Sequence, residues 1–331
     1  MISDINKIGS APLISFALFA FNQEKYIREA IRGAFSQTYT PLQIILSDDS
    51  SSDHTYDIIK EMALSYDGPH EVIINRNDSN LHIGGHINRV MELALGELIV
   101  GAAGDDISEP ERTALIVDYY YLHNKVPCSI YSDANYIDNS GNSTGYYSVA
   151  CPKGSFQPIP YAKRNFHGVL GATHAWHKSL FEKFGPLPPN LTYEDDAIPF
   201  RAALIGEVIH IPKPLVRYRR HDASIMCVIN NPAEKQLLNL KRFIFLYDSN
   251  LADLMHYCLF IKNDFILKDG CINQIYKQKI ISKHAMAIID GSFKDKIASL
   301  LALTLLGSFR NILNSFKILI LSQNFRKSIK S

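Results

Sequence analysis

The segment PLQIILSDDSSSDHT, residues 41–55, decides the fold of this chain. It opens with a short apolar run, Leu42–Leu46, which is typical of a buried strand. Two acids, Asp48 and Asp49, follow shortly after this run, and serines then lead to a helix start near Asp53. A strand that passes through a polar loop into a helix is the repeating unit of an α/β sheet.

The same unit repeats on both sides of this segment. The sequence predicts strands at Leu13–Phe19, Leu42–Leu46, Glu71–Ile74 and Leu98–Ala102, and helices at Glu24–Gln37, Thr55–Ser65, Ile83–Leu95 and Glu111–His123. This alternation predicts a mostly parallel sheet flanked by helices. Because such sheets bind ligands at the carboxyl ends of their strands, the loops after the strands are the candidate sites.

The pattern changes after residue 123. A stretch rich in Tyr, Gly and Asn between Ser129 and Pro160 predicts a β-hairpin. From Pro232 onward the chain is predicted to be largely helical. Between these regions the sequence predicts helices at Lys178–Phe184 and Tyr193–Ile205, and short strands at Val208–Ile211 and Leu215–Tyr218.

The charge of the chain is balanced overall but not along its length. The 331 residues include 34 Lys and Arg against 33 Asp and Glu, which argues against a nucleic-acid partner. Of these, 15 basic and 7 acidic residues lie between Pro232 and Ser331, so this region carries +8 and the rest carries −7. The basic region could bind an anionic surface of a partner, or it could be an ordinary solvated helical surface.

Cysteine usage and hydropathy indicate the compartment. The chain has five cysteines and no C-x-x-C pair, which predicts neither a disulfide framework nor a zinc site and favours a reducing compartment. No secretory signal is visible in residues 1–12. The apolar stretch Ile297–Phe309 is shorter than the about 18 residues expected of a membrane span. We therefore expect a cytoplasmic protein.

Two polar loops follow predicted strands. In SDDSSSDHT, a carboxylate of Asp48 or Asp49 could accept a hydrogen bond from a uracil-type base, although Asp-Ser clusters are also common turns. In GELIVGAAGDDISEP, Asp105 and Asp106 form a pair that is costly unless a positive charge lies between them. Mg²⁺ or Mn²⁺ bridging diphosphate oxygens would supply that charge; a helix N-cap ahead of Pro110 is the alternative.

Two later segments carry further polar clusters. YEDDAIPFR, residues 193–201, places three acids at the start of a predicted helix, and one of them could act as a general base toward a hydroxyl. RYRRHDAS, residues 217–224, offers arginines for phosphate contact and a histidine that can ligate a metal. By itself such a basic run is more often a solvated face.

Taken in order, the four segments resemble the family 2 glycosyltransferases, which have the GT-A fold. The matching segments are DDSSSDHT, GELIVGAAGDD, EDDAIPFR and YRRHDAS, and the resemblance covers about residues 12–225. It implies a GT-A catalytic domain at residues 1–225, with a nucleotide-sugar-binding half at 12–125 and an acceptor-side half at 126–225. A helical C-terminal region would follow at 226–331.

The resemblance also implies site residues. The base and ribose would lie against Ala20, Phe21, Asn22 and Asp49, with Asp48 as the less favoured acid. The metal would be bound by Asp105, with support from Asp106 and His221, and the diphosphate would lie near Arg219 or Arg220. Asp195 would be the catalytic base. The first acid of the family's D-x-D motif is Ala103 here, which predicts weaker metal binding.

The implied reaction is an inverting single displacement with Mg²⁺ or Mn²⁺. A sugar would pass from a nucleotide-diphosphate donor, with uridine favoured over thymidine or guanosine, to a hydroxyl of a glycan or lipid-linked acceptor. Bacterial polysaccharide assembly is the setting that the resemblance suggests. The alternatives are a non-catalytic binding protein on the same fold, which Ala103 favours, and a nucleotidyltransferase, which would need a Gly-rich phosphate loop that LFAFNQEKY lacks.

The end of the chain has an amphipathic pattern. Apolar residues recur at helical spacing from Leu305, at Phe309, Ile312, Phe316, Leu319 and Ile320. Basic residues follow at Arg326, Lys327 and Lys330. Such a helix could contact the inner face of the cell membrane as a peripheral protein does. It could equally pack on the catalytic domain or form a homodimer, and most amphipathic helices face a protein core.

Overall fold

The structure is a computed structural model that describes residues 11–126, 128–148, 169–220, 232–262 and 265–290, with Asp295, Ser299 and Ala302. The predicted ligand His221 and the amphipathic stretch from Leu305 lie outside the described residues. The chain divides into two compact units. The first contains the described residues up to Arg220, and the second contains those from Pro232.

The first unit is built on one sheet of nine strands. They are β1 (Ile14–Ala20), β2 (Leu42–Asp48), β3 (Glu71–Arg76), β4 (Leu98–Ala103), β5 (Ile107–Ser108), β6 (Cys128–Ile137), β7 (Ser143–Tyr147), β8 (Ala175–His177) and β9 (Glu207–Arg219). Their order in the sheet is β3-β2-β1-β4-β8-β6-β9-β5, and β7 pairs with β6.

Strand directions bring the candidate loops together. Strands β1, β2, β3 and β4 run parallel to one another. Strand β8 is antiparallel to both β4 and β6, so β6 points the same way as β4, and β9 is parallel to β6. The carboxyl ends of β1, β2, β4, β6 and β9 therefore lie along one edge, which we call the carboxyl edge. It is the edge at which α/β sheets bind ligands.

Helices cover this sheet and form the second unit. The first unit contains α1 (Ile27–Phe35), α2 (Thr55–Leu64), α3 (His82–Leu93), α4 (Arg112–Leu122), α5 (Ser179–Phe184) and α6 (Glu194–Ile205). The second unit contains α7 (Pro232–His256), a π-helical turn (Tyr257–Ile261) and α8 (Phe265–Asp290). Within the described residues, no helix is both long and apolar enough to span a bilayer.

The core confirms the helical periodicity predicted for α1. Ile27, Ala30, Ile31 and Ala34 are all buried, and they pack in the cluster formed by the apolar side chains of β1, β2 and β4. Full burial of an Ile side chain stabilises the fold by about 1.5–3 kcal/mol. The helix begins at Ile27 rather than Glu24, after a loop in which Asn22 adopts a positive φ of 51°.

The prediction of two short strands at Val208–Ile211 and Leu215–Tyr218 was wrong. The structure has a single strand, β9, through both prolines of this stretch. Its pairing with β6 steps from Ser132↔Ile211 to Asp133↔Pro214, so the strand keeps its course by a register shift. Pro212 falls in the bulge and has no partner on β6, and Pro214 lies between the two register shifts, so both prolines are tolerated in this strand.

Candidate active site

The two acids after β2 have different surroundings. The Asp48 carboxylate is fully buried and accepts hydrogen bonds from the Ser51 backbone N–H (3.0 Å) and the Ser51 hydroxyl (2.5 Å). Arg76 Nε lies 3.5 Å from its Oδ2. Both oxygens of Asp48 are thus occupied in closing the turn that Ser51 tightens.

Asp49 is held from the loop after β3. Its Oδ1 accepts hydrogen bonds from Asn77 Nδ2 (2.7 Å) and from the Leu81 backbone N–H (2.8 Å). Both of these bonds end on the same oxygen, and the residue is 4% exposed. These two hydrogen bonds therefore fix the orientation of the carboxylate through Oδ1 alone.

The end of β1 lies beside this turn. Ala20 pairs with Asp48, and the Asp49 backbone N–H donates to the Ala20 carbonyl (2.9 Å). The Asn22 side-chain oxygen accepts from the Ser52 backbone N–H (2.9 Å), while the Phe21 ring is 44% exposed. The loops after β1 and β2, which carry the predicted base and ribose contacts, are thus hydrogen-bonded to each other, although Ala20 and Asp48 themselves are buried.

The paired acids after β4 also differ. Asp105 is half-buried, whereas Asp106 is 4% exposed and accepts a hydrogen bond at Oδ1 from the Arg219 backbone N–H (2.7 Å). The second oxygen of Asp106 is buried without a hydrogen-bond partner among the described residues. Burial, and then the charge of Asp105, raise the pKa of Asp106 well above its usual range. A buried carboxylate oxygen with no donor nearby suits a cation.

The two arginines at the end of β9 do not share one environment. The Arg219 guanidinium is fully buried and donates to the carbonyls of Asp105 (2.9 Å) and Asp138 (2.9 Å) and to Glu29 Oε2 (2.7 Å). The Arg219 guanidinium therefore stabilises the packing of these loops, and it is not accessible to a diphosphate. Arg220 is exposed, and its guanidinium lies 5.1 Å from the Tyr136 ring centroid. Of the two, the geometry favours Arg220 as the phosphate contact.

The three acids of the EDD segment begin α6. Because α6 leads into the amino end of β9, its own amino end lies toward the carboxyl edge. Burial, with the charge of Asp196, raises the pKa of Glu194 to about 7. A Cβ at Gly171 would lie 2.8 Å from Glu194 Oε1 and 3.6 Å from Asp195 Oδ2, so the absence of a side chain there leaves room for these acids.

Tyr218 on β9 connects the separate acidic segments. Burial raises the pKa of its phenol, and the charges of Asp106, Asp105 and Asp195 raise it further. The acids after β4 and in the first turn of α6 therefore act electrostatically on the same tyrosine, and α6 packs against β9, the strand that carries it. Residues about 90 positions apart in the sequence are thus brought together at the carboxyl edge.

Three tyrosines at this edge were not predicted from the sequence. Tyr136 on β6 packs between Tyr147 on β7 and Tyr218, with ring centroids 6.1 and 5.9 Å apart. The only signal available was the high tyrosine content of the predicted hairpin. Trp176 is 2% exposed, with Nε1 3.3 Å from Met91 Sδ, so its role is structural.

Metal ligands are sparse among the residues that the structure describes. No three His, Cys, Asp or Glu side chains in this part of the chain are grouped so that they could hold an ion by themselves. Asp105 and Asp106 supply at most two carboxylates. An ion here would depend on ligands from a bound phosphate, which is the usual arrangement for Mg²⁺.

Comparison with known proteins assigns the family. A model described as glycosyl transferase family 2 matches residues 15–184. The chain belongs to glycosyl transferase family 2. An uncharacterized glycosyltransferase of Nostoc is 23% identical over 223 residues, which are 64% of this chain and 66% of that relative. The chain spans 60–66% of the length of the first curated relatives that it matches.

Solved glycosyltransferases show the same fold as this family 2 member. S. aureus TarS in complex with UDP-GlcNAc is 16% identical with a TM-score of 0.54, covering 95% of this chain and 92% of that one. A mannosyltransferase of Pyrobaculum calidifontis in complex with GDP-Man and Mn²⁺ is 15% identical with a TM-score of 0.52, covering 95% and 87%. At these identities the likeness establishes the GT-A fold.

Proposed function

We propose that this chain transfers a sugar from a nucleotide-diphosphate donor to an acceptor hydroxyl by an inverting single displacement. The observation that supports the proposal is that α6, which begins with the acids of the EDD segment, packs against β9, while the charges of Asp105, Asp106 and Asp195 all act on Tyr218 of that strand. The donor diphosphate needs positive charge beside it, whereas the attacking hydroxyl needs a carboxylate that accepts its proton, and the two must lie close together. Family membership supports sugar transfer as the reaction class.

The donor base and ribose would lie on the surface formed by the ends of β1 and β2. Asp49 is the preferred contact for a uracil-type base because the turn occupies both oxygens of Asp48. The exposed Phe21 ring offers an apolar face to the base, and Asn22 stands beside it. UDP remains our first choice of nucleotide, with dTDP and GDP as alternatives.

Asp105 would hold Mg²⁺ or Mn²⁺ together with donor phosphate oxygens, and Asp106 and His221 would support it. The fit rests on the unpartnered oxygen of Asp106, among the residues described, and on the preference of these ions for oxygen ligands. When bound, the ion would offset negative charge on the diphosphate. Ala103 in place of a second acid makes the site poor in protein ligands, so the nucleotide would contribute to the ion's affinity.

Asp195 would act as the base. Its carboxylate would take the proton of the acceptor hydroxyl as that oxygen bonds to the anomeric carbon. The bond from this carbon to the diphosphate oxygen would break at the same time, and the nucleoside diphosphate would leave. Arg220 would stand near the leaving diphosphate, because Arg219 is committed to the core. The acceptor would be a glycan or a lipid-linked sugar.

The competing function is nucleotide-sugar or glycan binding without turnover, and Ala103 favours it. Two measurements distinguish sugar transfer from binding without turnover. The first is calorimetric titration of UDP, dTDP and GDP, each with and without Mn²⁺, and the second is turnover of the matching nucleotide sugar. We expect one nucleotide to bind in a Mn²⁺-dependent manner. Asp105→Ala should lose this binding, whereas Asp195→Asn should keep it within about twofold and lose turnover by about a hundredfold or more.

Asp57→Ala is the matched control, because Asp57 is an exposed carboxylate on α2 whose partners are Lys60 and His54. This variant should bind and turn over like the wild type. If folded wild-type protein bound no nucleotide, the proposal would be wrong. Nucleotide binding without any turnover would leave the binding protein as the function. If Asp195→Asn stayed active, the base would have to be Asp196 or Glu194.

A further inference from the structure

Three tyrosines occupy adjacent positions in the strands at the acceptor side of the carboxyl edge. Tyr136 on β6 pairs with Tyr218 on β9 and, on its other side, with Gly145 on β7. Residues paired in this way point to the same face of the sheet. Tyr147, two positions after Gly145, therefore also stands on this face. We call Tyr136, Tyr147 and Tyr218 the tyrosine cluster.

The rings of the cluster form walls rather than a flat stack. The rings of Tyr147 and Tyr218 are inclined at 62° and 59° to that of Tyr136, with centroids 6.1 and 5.9 Å away. A Cβ at Gly145 would lie only 3.3 Å from the Tyr136 ring, so Gly145 leaves space beside that ring. All three tyrosines are half-buried, so part of each side chain remains accessible.

Helix α6, whose first turn contains Asp195, packs against β6 and β9, the strands of Tyr136 and Tyr218. The charge of Asp195 acts on the phenols of both Tyr147 and Tyr218. Burial raises the pKa of Tyr147 to about 12, so its hydroxyl stays protonated near neutral pH and can both donate and accept hydrogen bonds. The site next to Asp195 thus combines aromatic faces with hydroxyl groups.

We infer that the tyrosine cluster is the acceptor subsite and that it takes a pyranose ring, whose C–H face packs on the tyrosines while one hydroxyl points to Asp195. This inference rests on the proposed function. Aromatic faces carry partial negative charge and attract the polarised C–H groups of a sugar ring. An acyclic polyol or a bare lipid phosphate has no such face. A few polar groups among aromatic walls are the usual composition of a small-ligand site.

The test compares acceptors and variants in the full-length protein. The donor is the nucleotide sugar whose nucleotide binds, and release of nucleoside diphosphate is measured with methyl pyranosides of glucose, galactose and N-acetylglucosamine or with the alditols ribitol and sorbitol. We expect pyranosides, but not alditols, to accelerate release. Tyr136→Ala and Tyr147→Ala should raise the KM for the best pyranoside by about tenfold, with donor affinity unchanged within about twofold.

Two further variants distinguish a lost acceptor contact from a damaged fold. Tyr147→Phe keeps the ring and should keep most of the acceptor affinity, and Tyr276→Ala removes an exposed tyrosine on α8 and should change nothing. Melting temperatures show whether each variant is folded. If Tyr136→Ala does not fold, Tyr147→Ala alone tests the acceptor contact. Alditols as effective as pyranosides, or an unchanged KM in the folded alanine variants, would overturn the inference. Absence of nucleotide binding by the wild type would instead refute the proposed function, and the subsite with it.

Discussion

Adjacent acidic residues of this chain have opposite environments. Asp48 closes a turn with both oxygens, while the bonds to Asp49 end on one. Asp106 is buried against the Arg219 backbone, while Asp105 remains half-buried. In each pair, hydrogen bonds hold one acid in the loop. The fixed acid would thereby position its neighbour for the ligand contact that we propose.

His86 allows a prediction about acid stability. Its Nε2 lies 2.7 Å from Ser47 Oγ, and Asn75 donates to that same oxygen, so the Ser47 hydroxyl donates to a neutral imidazole. Burial lowers the pKa of His86 to about 4, although the charge of Asp49 opposes this. Between about pH 6.5 and pH 4 the unfolded chain binds a proton here that the folded chain does not. The unfolding free energy should therefore fall on acidification, by about 3 kcal/mol from this residue.

The measurement is urea unfolding at several pH values between about 7.5 and 4. His86→Gln removes the titrating group and should lose part of the acid dependence. The buried His174, whose pKa burial lowers to about 3, contributes in both proteins, so the difference between them isolates His86. Identical pH dependence in the two proteins would contradict a neutral His86 in the folded state.

The sequence predicted the candidate acids but not the tyrosines. Asp49 and Asp105 could be found because acids directly after apolar runs stand at the ends of strands. Tyr136, Tyr147 and Tyr218 come from three strands that meet only through long-range pairing, and tyrosine is enriched in strands whether or not they bind a ligand. The separate environments of Arg219 and Arg220 could not be predicted either, since both belong to one basic run.

At the scale of elements, α3 connects the donor side to the loop before α6. Asn88 on α3 donates to the Leu187 carbonyl and accepts from the Leu187 backbone N–H, both at 2.8 Å. One turn earlier, the Gly84 backbone N–H donates to the Leu191 carbonyl (3.2 Å). This loop runs directly into the helix that bears Asp195. The position of the proposed base therefore depends on a helix of the half that we propose to bind the nucleotide.

Gly84→Ala tests this connection. A Cβ at residue 84 would lie 2.4 Å from the Pro188 carbonyl oxygen and 3.0 Å from that of Pro189, so the loop must move. We expect a loss of about 1–3 kcal/mol in unfolding free energy, measured in urea, together with a fall in turnover. Gly85→Ala is the matched control, since its Cβ would lie 3.0 Å from Leu81 Cβ and 3.9 Å from Pro189 Cβ and would not meet a backbone atom of the loop, so it should cost less than Gly84→Ala. Equal stability of both variants would argue against a tight contact at Gly84.

The elements that the sequence missed are those whose existence depends on neighbours. Apart from β5, the helices and strands up to α4 were predicted to within a few residues, because each has its own hydrophobic period. Strands β5 and β8 have two and three residues, too short to show a period, and they exist because β9 and β4 pair with them. The break predicted at Pro212 was wrong because pairing with β6 overrides the local preference.

At the scale of the whole chain, charge divides as the compact units do. The region from Pro232 to Ser331 carries +8, and the rest carries −7. Residues 305–331 alone contain five basic and no acidic residues, on a stretch whose apolar residues have helical spacing. An apolar stripe flanked by basic residues matches an anionic lipid surface, where each basic residue near the surface contributes about 1 kcal/mol. A lipid-linked acceptor would make such attachment useful to the proposed reaction.

Vesicle co-sedimentation tests this attachment with the full chain and a chain that ends before Leu305. We expect the full chain to pellet with vesicles containing anionic lipid, less with neutral vesicles, and less as salt rises, because about 0.1 M salt screens charges beyond about 10 Å. A variant with Arg310, Lys317, Arg326, Lys327 and Lys330 changed to Gln keeps the apolar residues and should lose binding to anionic vesicles. Equal pelleting of full and shortened chains would mean that this stretch does not attach the protein to lipid. Sedimentation velocity would then decide between packing on the same chain, which leaves a monomer, and a homodimer that dissociates when residues 305–331 are removed.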